Sequence, residues 1–494
     1  MLFKSTSGRL LSSYLRCRCG PSVTARSASS FEQVDEDVPP WQLPEEAEYE
    51  LARDLLRIPG TSQQLFLIQP RIKIGPNRNY LTTPQLQLEE NKTLVETLGW
   101  KIVDHIILPV SSYDSTHVFG RGNFEKLQEA VRSCRTSASA IFFGSNTLKK
   151  KQLAFYRETF GMPVFDRYRI VLEIFRAHAK TKEAKLQVAL AELPYFRALL
   201  GGIGEVPGSS IQMAGSGSGQ TRDLQRQIMR DREGKLRTAL DKIRSNRAVL
   251  RRGRKKNEIN SVAVVGYTNC GKTSLIKALT GDVTMKPENK LFATLDVTSH
   301  GGRLPNSVSV LYVDTIGFIS DIPTSLIASF AAVLEEIGEA DVLVHVRDVS
   351  HPDTKSQKET VLKQLRELAL PEKLLNSMIE VCNKVDMLPE IEKSPEKVSA
   401  ADNAIFTSAT ANTGLYSLRE RIEAVLLGNT GLTEKQIRVP QGGAELSWLY
   451  REAHVHFLEA DVTDSQFLVA HVTISPSSFA RYIHQFRKIQ VLTR

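Results

Sequence analysis

A multi-domain α/β fold with mainly parallel sheets is predicted for this chain of 494 residues by three observations. Short apolar or β-branched runs alternate with amphipathic helical stretches from Leu65 to Thr159, as crossover-connected strands do. A second such run, Val262 to Val265, leads through Gly266-Tyr267-Thr268-Asn269-Cys270-Gly271-Lys272-Thr273 into a helix over Ser274 to Thr280, the strand–loop–helix context of a phosphate loop. Between the two regions lies a long helical stretch. The expected division is therefore 61–166, an N-terminal α/β domain; 167–257, a helical linker hairpin; 258–428, a nucleotide-binding domain; and 429–494, a small α/β appendix.

Composition narrows the class. Hydrophobic residues make up 41% and charged residues 24%, the balance of a globular protein with a sizeable core. No uninterrupted apolar run approaches the roughly 20 residues of a spanning helix, so no membrane span is expected. The net charge of +9 is unevenly placed. Residues 1–31 hold Lys4, Arg9, Arg16, Arg18 and Arg26, many serines, and no acid before Glu32. That is the composition of a mitochondrial transit peptide and predicts a matrix protein; no apolar segment is long enough for a secretory signal. Residues 32–60 read as an acidic, proline-containing extension. Cys17 and Cys19 would leave with the leader, and Cys134, Cys270 and Cys382 have no metal-ligand spacing, as suits reduced thiols.

Within 61–166 the pattern predicts strands at Leu65–Ile68, Ile102–Leu108 and Ala138–Phe143, with helices at Thr83–Leu98, Phe124–Arg132 and Leu148–Thr159. His117 and Arg121 flank a glycine loop read as solvated. Residues 168–200 read as one long helical stretch, Gly201–Gly219 as a flexible break, and Thr221–Leu250 as a second helix with a stripe of Leu224, Ile228, Leu236, Leu240, Ile243 and Leu250. Residues 215–256 carry fourteen Lys or Arg against four acids, an excess of ten that exceeds the whole chain's net charge. Such a helix favours a polyanion, and RNA phosphate is the obvious one; with no aromatics in the arm, sequence specificity is not implied. Near the C-terminus a helix at Glu445–Ala453, strands at His454–Leu458 and Phe467–Ile474, and a helix at Pro476–Lys488 capped by Ser475 are expected. His454, His456 and His471 read as satisfied strand histidines, since no carboxylate or cysteine stands at ligand spacing.

The chemistry is concentrated after Val262. Glycines at 266 and 271 let the backbone amides of Tyr267, Thr268, Asn269, Cys270 and Ser274 turn toward phosphate oxygens at a helix N-terminus. Lys272 would reach the β- and γ-phosphates, and the Thr273 hydroxyl would ligate Mg2+. Asp314-Thr315-Ile316-Gly317 follows a strand at Ser309–Val313, as a magnesium-proximal carboxylate and a γ-phosphate-sensing glycine should. Thr294, in a polar loop between them, is the switch residue expected to close over the metal. Asn383-Lys384-Val385-Asp386 follows an apolar strand. Asp386 can accept two hydrogen bonds from guanine, where adenine offers no matching pair; the Lys384 stem would lie over the base and Asn383 would hold the loop. Ser408-Ala409-Thr410 would present an amide to the guanine oxygen. In this order the motifs predict a GTP/GDP site and a GTPase, with Lys272, Thr294 and Gly317 as its catalytic residues. Two details stand apart. Phe318 occupies the place where many GTPases keep a water-orienting glutamine, and Asn269 could face a monovalent cation such as K+.

The segments GYTNCGKTSLIKALTG, FATLD, DTIGFISDIP, SFAAVLEEIGEADVLVHVRDVSHPD and NKVD, with VFDRYRIVLEIFRAHAKTKEAKLQVALAEL upstream, resemble the HflX family of ribosome-associated GTPases over roughly residues 60–490. The resemblance implies an N-terminal α/β domain, a helical linker, a G domain, and binding to the large ribosomal subunit. It further implies subunit splitting and, for mitochondrial members, late large-subunit assembly. Because a phenylalanine at 318 cannot hydrogen-bond the attacking water, turnover is expected to be slow until the ribosome activates it, and a monomer is expected. The family's Gly-Pro-Gly-Glu-Thr-Gln-Leu-Glu lead-in to the second linker helix is replaced by Gly217 to Leu224, and its proline and arginine after FATLD by Val297 and His300. The alternative reading is a GTP-gated RNA-binding or RNA-modification accessory with little intrinsic turnover, though no modifying cysteine or cofactor motif is visible.

Overall fold

The computed structural model describes residues 63–72, 82–110, 113, 115, 117–200, 218–256, 259–288, 290–295, 297–320, 331–368, 370–388, 404–461, 463–486 and 491–492. The leader and the acidic extension lie outside these residues, as does the break at 201–217.

β1 (Gln64–Ile72) is buried on both faces because its side chains alternate between two apolar clusters. Leu65 and Leu67 face α1 (Pro84–Thr97), while Phe66 and Ile68 face α2 (Arg121–Cys134) and α3 (Lys150–Phe160). Around β1 lie β2 (Lys101–Val110), β3 (Ala140–Phe143) and β4 (Val164–Asp166) in the order β2-β1-β3-β4, all parallel. Thr83 caps α1 through the Leu86 amide, with Pro84 at the first position, where no amide is needed. β4 is too short for a periodicity signal and was not expected. His117 sits edge-on to Phe155 at 4.5 Å and Arg121, 95% exposed, pairs with Glu125, so the glycine loop between them is solvent-exposed, as its sequence suggests.

The expected single helix over 168–200 is two helices, α4 (Arg167–His178) and α5 (Lys182–Leu200). Ala179 leaves the helix with ψ 98, and Thr181 starts the next by accepting from the Ala184 amide. α6 (Ser218–Lys256) is 39 residues long, longer than expected at both ends. It runs antiparallel to α5: Arg197 pairs with Glu233 and Arg247 with Glu183, while Leu186, Leu193 and Phe196 pack on Met229 and Leu236. The basic surplus is less free than its count implies. Arg232 is buried, and Arg237, Arg244 and Arg247 meet Glu233, Glu335 and Glu183. The side chains of Arg251, Arg252, Arg254, Lys255 and Lys256 lie outside the described residues.

The second sheet has the order β10-β9-β8-β5-β7-β6. Its members are β5 (Asn260–Gly266), β6 (Thr298–Arg303), β7 (Ser309–Asp314), β8 (Val342–Asp348), β9 (Ile379–Asn383) and β10 (Ile405–Phe406). All run parallel except the edge strand β6. α7 (Lys272–Thr280) follows the phosphate loop, and α8 (Ala331–Gly338), α9 (Thr354–Glu367), α10 (Glu372–Asn376) and α11 (Leu415–Thr430) complete the layers. One apolar cluster runs from the face of the first sheet through α4 into this sheet, joining Leu65, Phe175, Phe292 and Val265.

The C-terminal segment is a four-stranded antiparallel sheet, β12-β13-β11-β14. It is built by β11 (Thr433–Pro440), α12 (Ala444–Glu452), β12 (His454–Ala460), β13 (Phe467–Ile474), α13 (Pro476–Gln485) and β14 (Val491–Leu492). β11 and β14 were not expected from the sequence. Ser475 accepts from the Ser478 amide at the start of α13, as anticipated. His456 meets the Thr473 hydroxyl at 2.7 Å, and His471 stacks on Phe457.

Candidate nucleotide site

The site is built where four strands of the second sheet end. β5 lies between β7 and β8, so the chain order reverses around it, and the crevice past the carboxyl ends at such a point is the ligand position in open α/β sheets. Gly266, Asp314, Asn383 and Phe406 terminate β5, β7, β9 and β10 at that edge.

The phosphate loop curls because two of its residues are left-handed, Asn269 at φ 61 and Gly271 at φ 94. A Cβ at Gly271 would stand 2.4 Å from the Asn383 amide nitrogen, so glycine is required twice over. Gly317 is equally confined, its absent Cβ being 2.8 Å from the Thr268 Cα and 3.0 Å from Lys272 Nζ. Two hydrogen bonds clamp the loop to the strand after Gly317: Thr268 donates to the Phe318 carbonyl at 2.7 Å, and Phe318 donates to the Gly266 carbonyl at 3.1 Å. Lys272 folds back over the loop, Nζ donating to the Tyr267 carbonyl at 3.0 Å and the Gly266 carbonyl at 3.3 Å. Cys270 is buried, and burial pushes its thiol upward, so it stays a neutral packing group.

Three oxygens converge beside the loop. Thr273 donates to Asp314 Oδ2 at 2.6 Å, Thr294 donates to the same atom at 3.2 Å, and the two hydroxyls are 3.0 Å apart. Asp314 is 1% exposed, and burial raises its carboxyl above the usual range. Its Oδ1 has no hydrogen-bond partner among the described residues. An oxygen-only set with one unsatisfied carboxylate oxygen fits a small, hard cation such as Mg2+. Phe292, two residues before Thr294, is left-handed at φ 54 and meets Phe175 of α4 edge-on at 4.7 Å.

On the base side Asn383 joins three loops. Its Nδ2 donates to the Cys270 carbonyl at 3.0 Å, and its Oδ1 accepts from Ala409 N and the Thr407 hydroxyl, both at 3.3 Å. Lys384 is left-handed at φ 65 and its ammonium meets Asp348 at 2.7 Å. Asp386 is exposed; the hydroxyls of Ser408 and Thr410 hold its carboxyl below the ordinary carboxylate range, keeping it an acceptor. The structure thus brings every sequence-predicted residue, Gly266 to Ser274, Thr294, Asp314, Gly317, Asn383 to Asp386 and Ser408 to Thr410, to one edge of one sheet.

Sequence reasoning did not find the contacts that tie this edge to the first sheet. Glu90 of α1 accepts from the Tyr267 hydroxyl at 2.8 Å and from Arg167 at 2.6 Å, and Tyr267 Oη accepts from the Ser320 amide at 2.8 Å. No local pattern marks such a link.

Three family models match along the chain: a GTP-binding GTPase N-terminal region over residues 85–176, a GTP-binding GTPase middle region over 178–254, and a 50S ribosome-binding GTPase over 261–384. GTP-binding protein 6 of Homo sapiens is 42% identical over 457 residues, 91% of this chain and 86% of that protein. GTPase HflX of Alkalihalophilus pseudofirmus is 33% identical, over 77% of this chain and 88% of that protein. Among solved structures, a GTP-binding protein of Sulfolobus solfataricus in complex with GDP is 23% identical and covers 74% of this chain and 99% of that one, with a TM-score of 0.39. With these family models and these two relatives matching along most of its length, the chain belongs to the HflX family of GTP-hydrolysing proteins.

Proposed function

We propose that the chain acts on the large subunit of the mitochondrial ribosome, where its GTP state drives subunit splitting and recycling and late large-subunit assembly. The observation that carries this reading is the union of a GTPase site with a 39-residue helix rich in arginine and lysine. A polyanionic RNA surface is the partner such a helix suits. The match to a 50S ribosome-binding GTPase supports it, and the acid-free leader at 1–31 supports delivery to the matrix. The division into an N-terminal domain, helical linker, G domain and C-terminal domain follows the same reading, with RNA contacts made by the linker and the N-terminal domain of a monomer.

In the proposed reaction, water attacks the γ-phosphorus in line, the bond to the β–γ bridging oxygen breaks, and GDP leaves with that oxygen. Lys272 would leave its two carbonyls for the β- and γ-phosphates, and the amides at the start of α7 would stabilise the charge that develops. Thr273, Thr294 and Asp314 would hold Mg2+, which supplies Lewis-acid neutralisation of the phosphates. Thr294 thereby ties closure of its loop to the γ-phosphate, and the Gly317 amide would bond that phosphate directly. Phe318 is buried in the apolar cluster and has no hydrogen-bonding group for the attacking water. Turnover of the isolated protein is therefore expected to be slow and to rise on the ribosome, with Asn269 offering its amide oxygen to K+. The test is sedimentation of purified mitochondrial ribosomes with the protein and GTP, alongside turnover in matched potassium and sodium salts. Unaltered subunit profiles and no stimulation by large subunits would overturn the ribosomal reading; equal rates in both salts would leave Asn269 structural.

A further inference from the structure

We infer that Asp348, at the end of β8, is a positioning residue for the guanine nucleotide, acting through Lys384. The inference rests on the base-loop reading above and extends it to a residue outside the nucleotide motifs. Asp348 and Lys384 form an ion pair at 2.7 Å with side chains only 12% and 25% exposed. The two oxygens of the carboxylate have separate partners. Oδ1 accepts from the Ser350 amide at 3.0 Å and the Ser350 hydroxyl at 2.6 Å, while Oδ2 meets the lysine. The loop that carries Asp348 is itself fastened to the base loop, Val349 donating to the Asn383 carbonyl at 3.1 Å.

The consequence follows from the geometry of a lysine. A free lysine stem has many rotamers, and a base that stacks on it must order it. Here the stem is held at both ends, by a left-handed backbone at Lys384 and by Asp348 at the ammonium. Its Cε passes 4.0 Å from where a Cβ of Gly271 would stand, so the stem runs alongside the phosphate loop. It is thus a preformed apolar rail on which a purine can lie. Asp386 selects guanine; Asp348 sets how firmly any purine that satisfies Asp386 is held.

The experiment is a double-mutant cycle in the full-length protein with Asp348→Asn and Lys384→Met, read by GDP affinity and dissociation rate. Asparagine keeps the acceptor for Ser350 and removes the charge that anchors the lysine. Asp348→Asn is expected to weaken GDP about 5- to 10-fold, mostly through faster release, as loss of one charge-assisted bond predicts. The preference for GDP over IDP, which reads Asp386, should not move. In the Lys384→Met background the same substitution should change GDP affinity by less than about two-fold. If Lys384→Met weakens GDP and Asp348→Asn does not, Asp348 has no such role and the base site stands. If neither does, the base-loop reading fails with it. An equal loss in both backgrounds would show that Asp348 acts through its own loop and overturn the inference.

Discussion

Replacing Asn383 with alanine removes one small side chain that holds three loops together. Asn383 is 1% exposed, and its amide bonds the Cys270 carbonyl, the Thr407 hydroxyl and the Ala409 amide together. The substitution leaves the Cys270 carbonyl, the buried Thr407 hydroxyl and the Ala409 amide without that partner. A buried polar group left unsatisfied costs about 1–3 kcal/mol, so these three groups amount to roughly 2–4 kcal/mol once water reaches the half-buried Ala409 amide and the Thr407 hydroxyl turns toward it. For a unit of this size that corresponds to a fall in Tm of about 5–10 °C. The functional loss should be larger than stability alone implies, because the phosphate loop and the base loops are set in register by this residue. GDP affinity is expected to fall at least about tenfold, the equivalent of one such bond. The assay is thermal unfolding of the full-length protein with and without saturating GDP, together with calorimetric titration. A Tm within about 1 °C of the parent and GDP affinity within about two-fold would refute the reasoning, since both follow from the same three hydrogen bonds.

Asp386→Asn turns one acceptor into a donor facing guanine's own donors, so GTP binding should fall while xanthine nucleotides gain; a competition titration that keeps the parental preference refutes the assignment. Gly317→Ala forces a methyl to within 2.8 Å of the Thr268 backbone and 3.0 Å of Lys272 Nζ. Hydrolysis should drop by at least about tenfold with GDP binding largely kept, because the crowding falls on the γ-phosphate side; parental turnover in a single-turnover assay would contradict it. Changing Arg251, Arg252, Arg254, Lys255 and Lys256 to glutamine should weaken binding to RNA-containing particles and flatten its salt dependence by about 0.7–0.9 per lost phosphate contact. An unchanged salt slope would make that end of α6 an ordinary solvated surface.

The nucleotide chemistry was legible in the sequence because it is written locally. A phosphate loop needs glycine, lysine and threonine at fixed spacing after one strand, and the proposed base loop needs Asn383, Lys384 and Asp386 after another, whatever the rest of the chain does. The alternation of apolar strands with amphipathic helices likewise exposed the α/β class, and the cap at Ser475 was anticipated from side-chain chemistry alone. Short elements escaped this reading. β4 is three residues and β14 two, too few for a period to show, and the break at Ala179 lies in a stretch whose helical pattern is nearly continuous.

What only the tertiary structure decided are the partners drawn from distant segments. Glu90 reaches Tyr267 across 177 positions, Asn383 reaches Cys270 across 113, and Asp348 anchors Lys384 from the neighbouring strand. The fate of the basic helix was also decided there, since Glu183 and Glu335, far away in sequence, neutralise Arg247 and Arg244. Spacing along the chain says which groups are present, but strand order determines which strand ends become neighbours. In this sheet the reversal of order around β5 brings the phosphate loop, the Asp314 loop and the base loops to one edge.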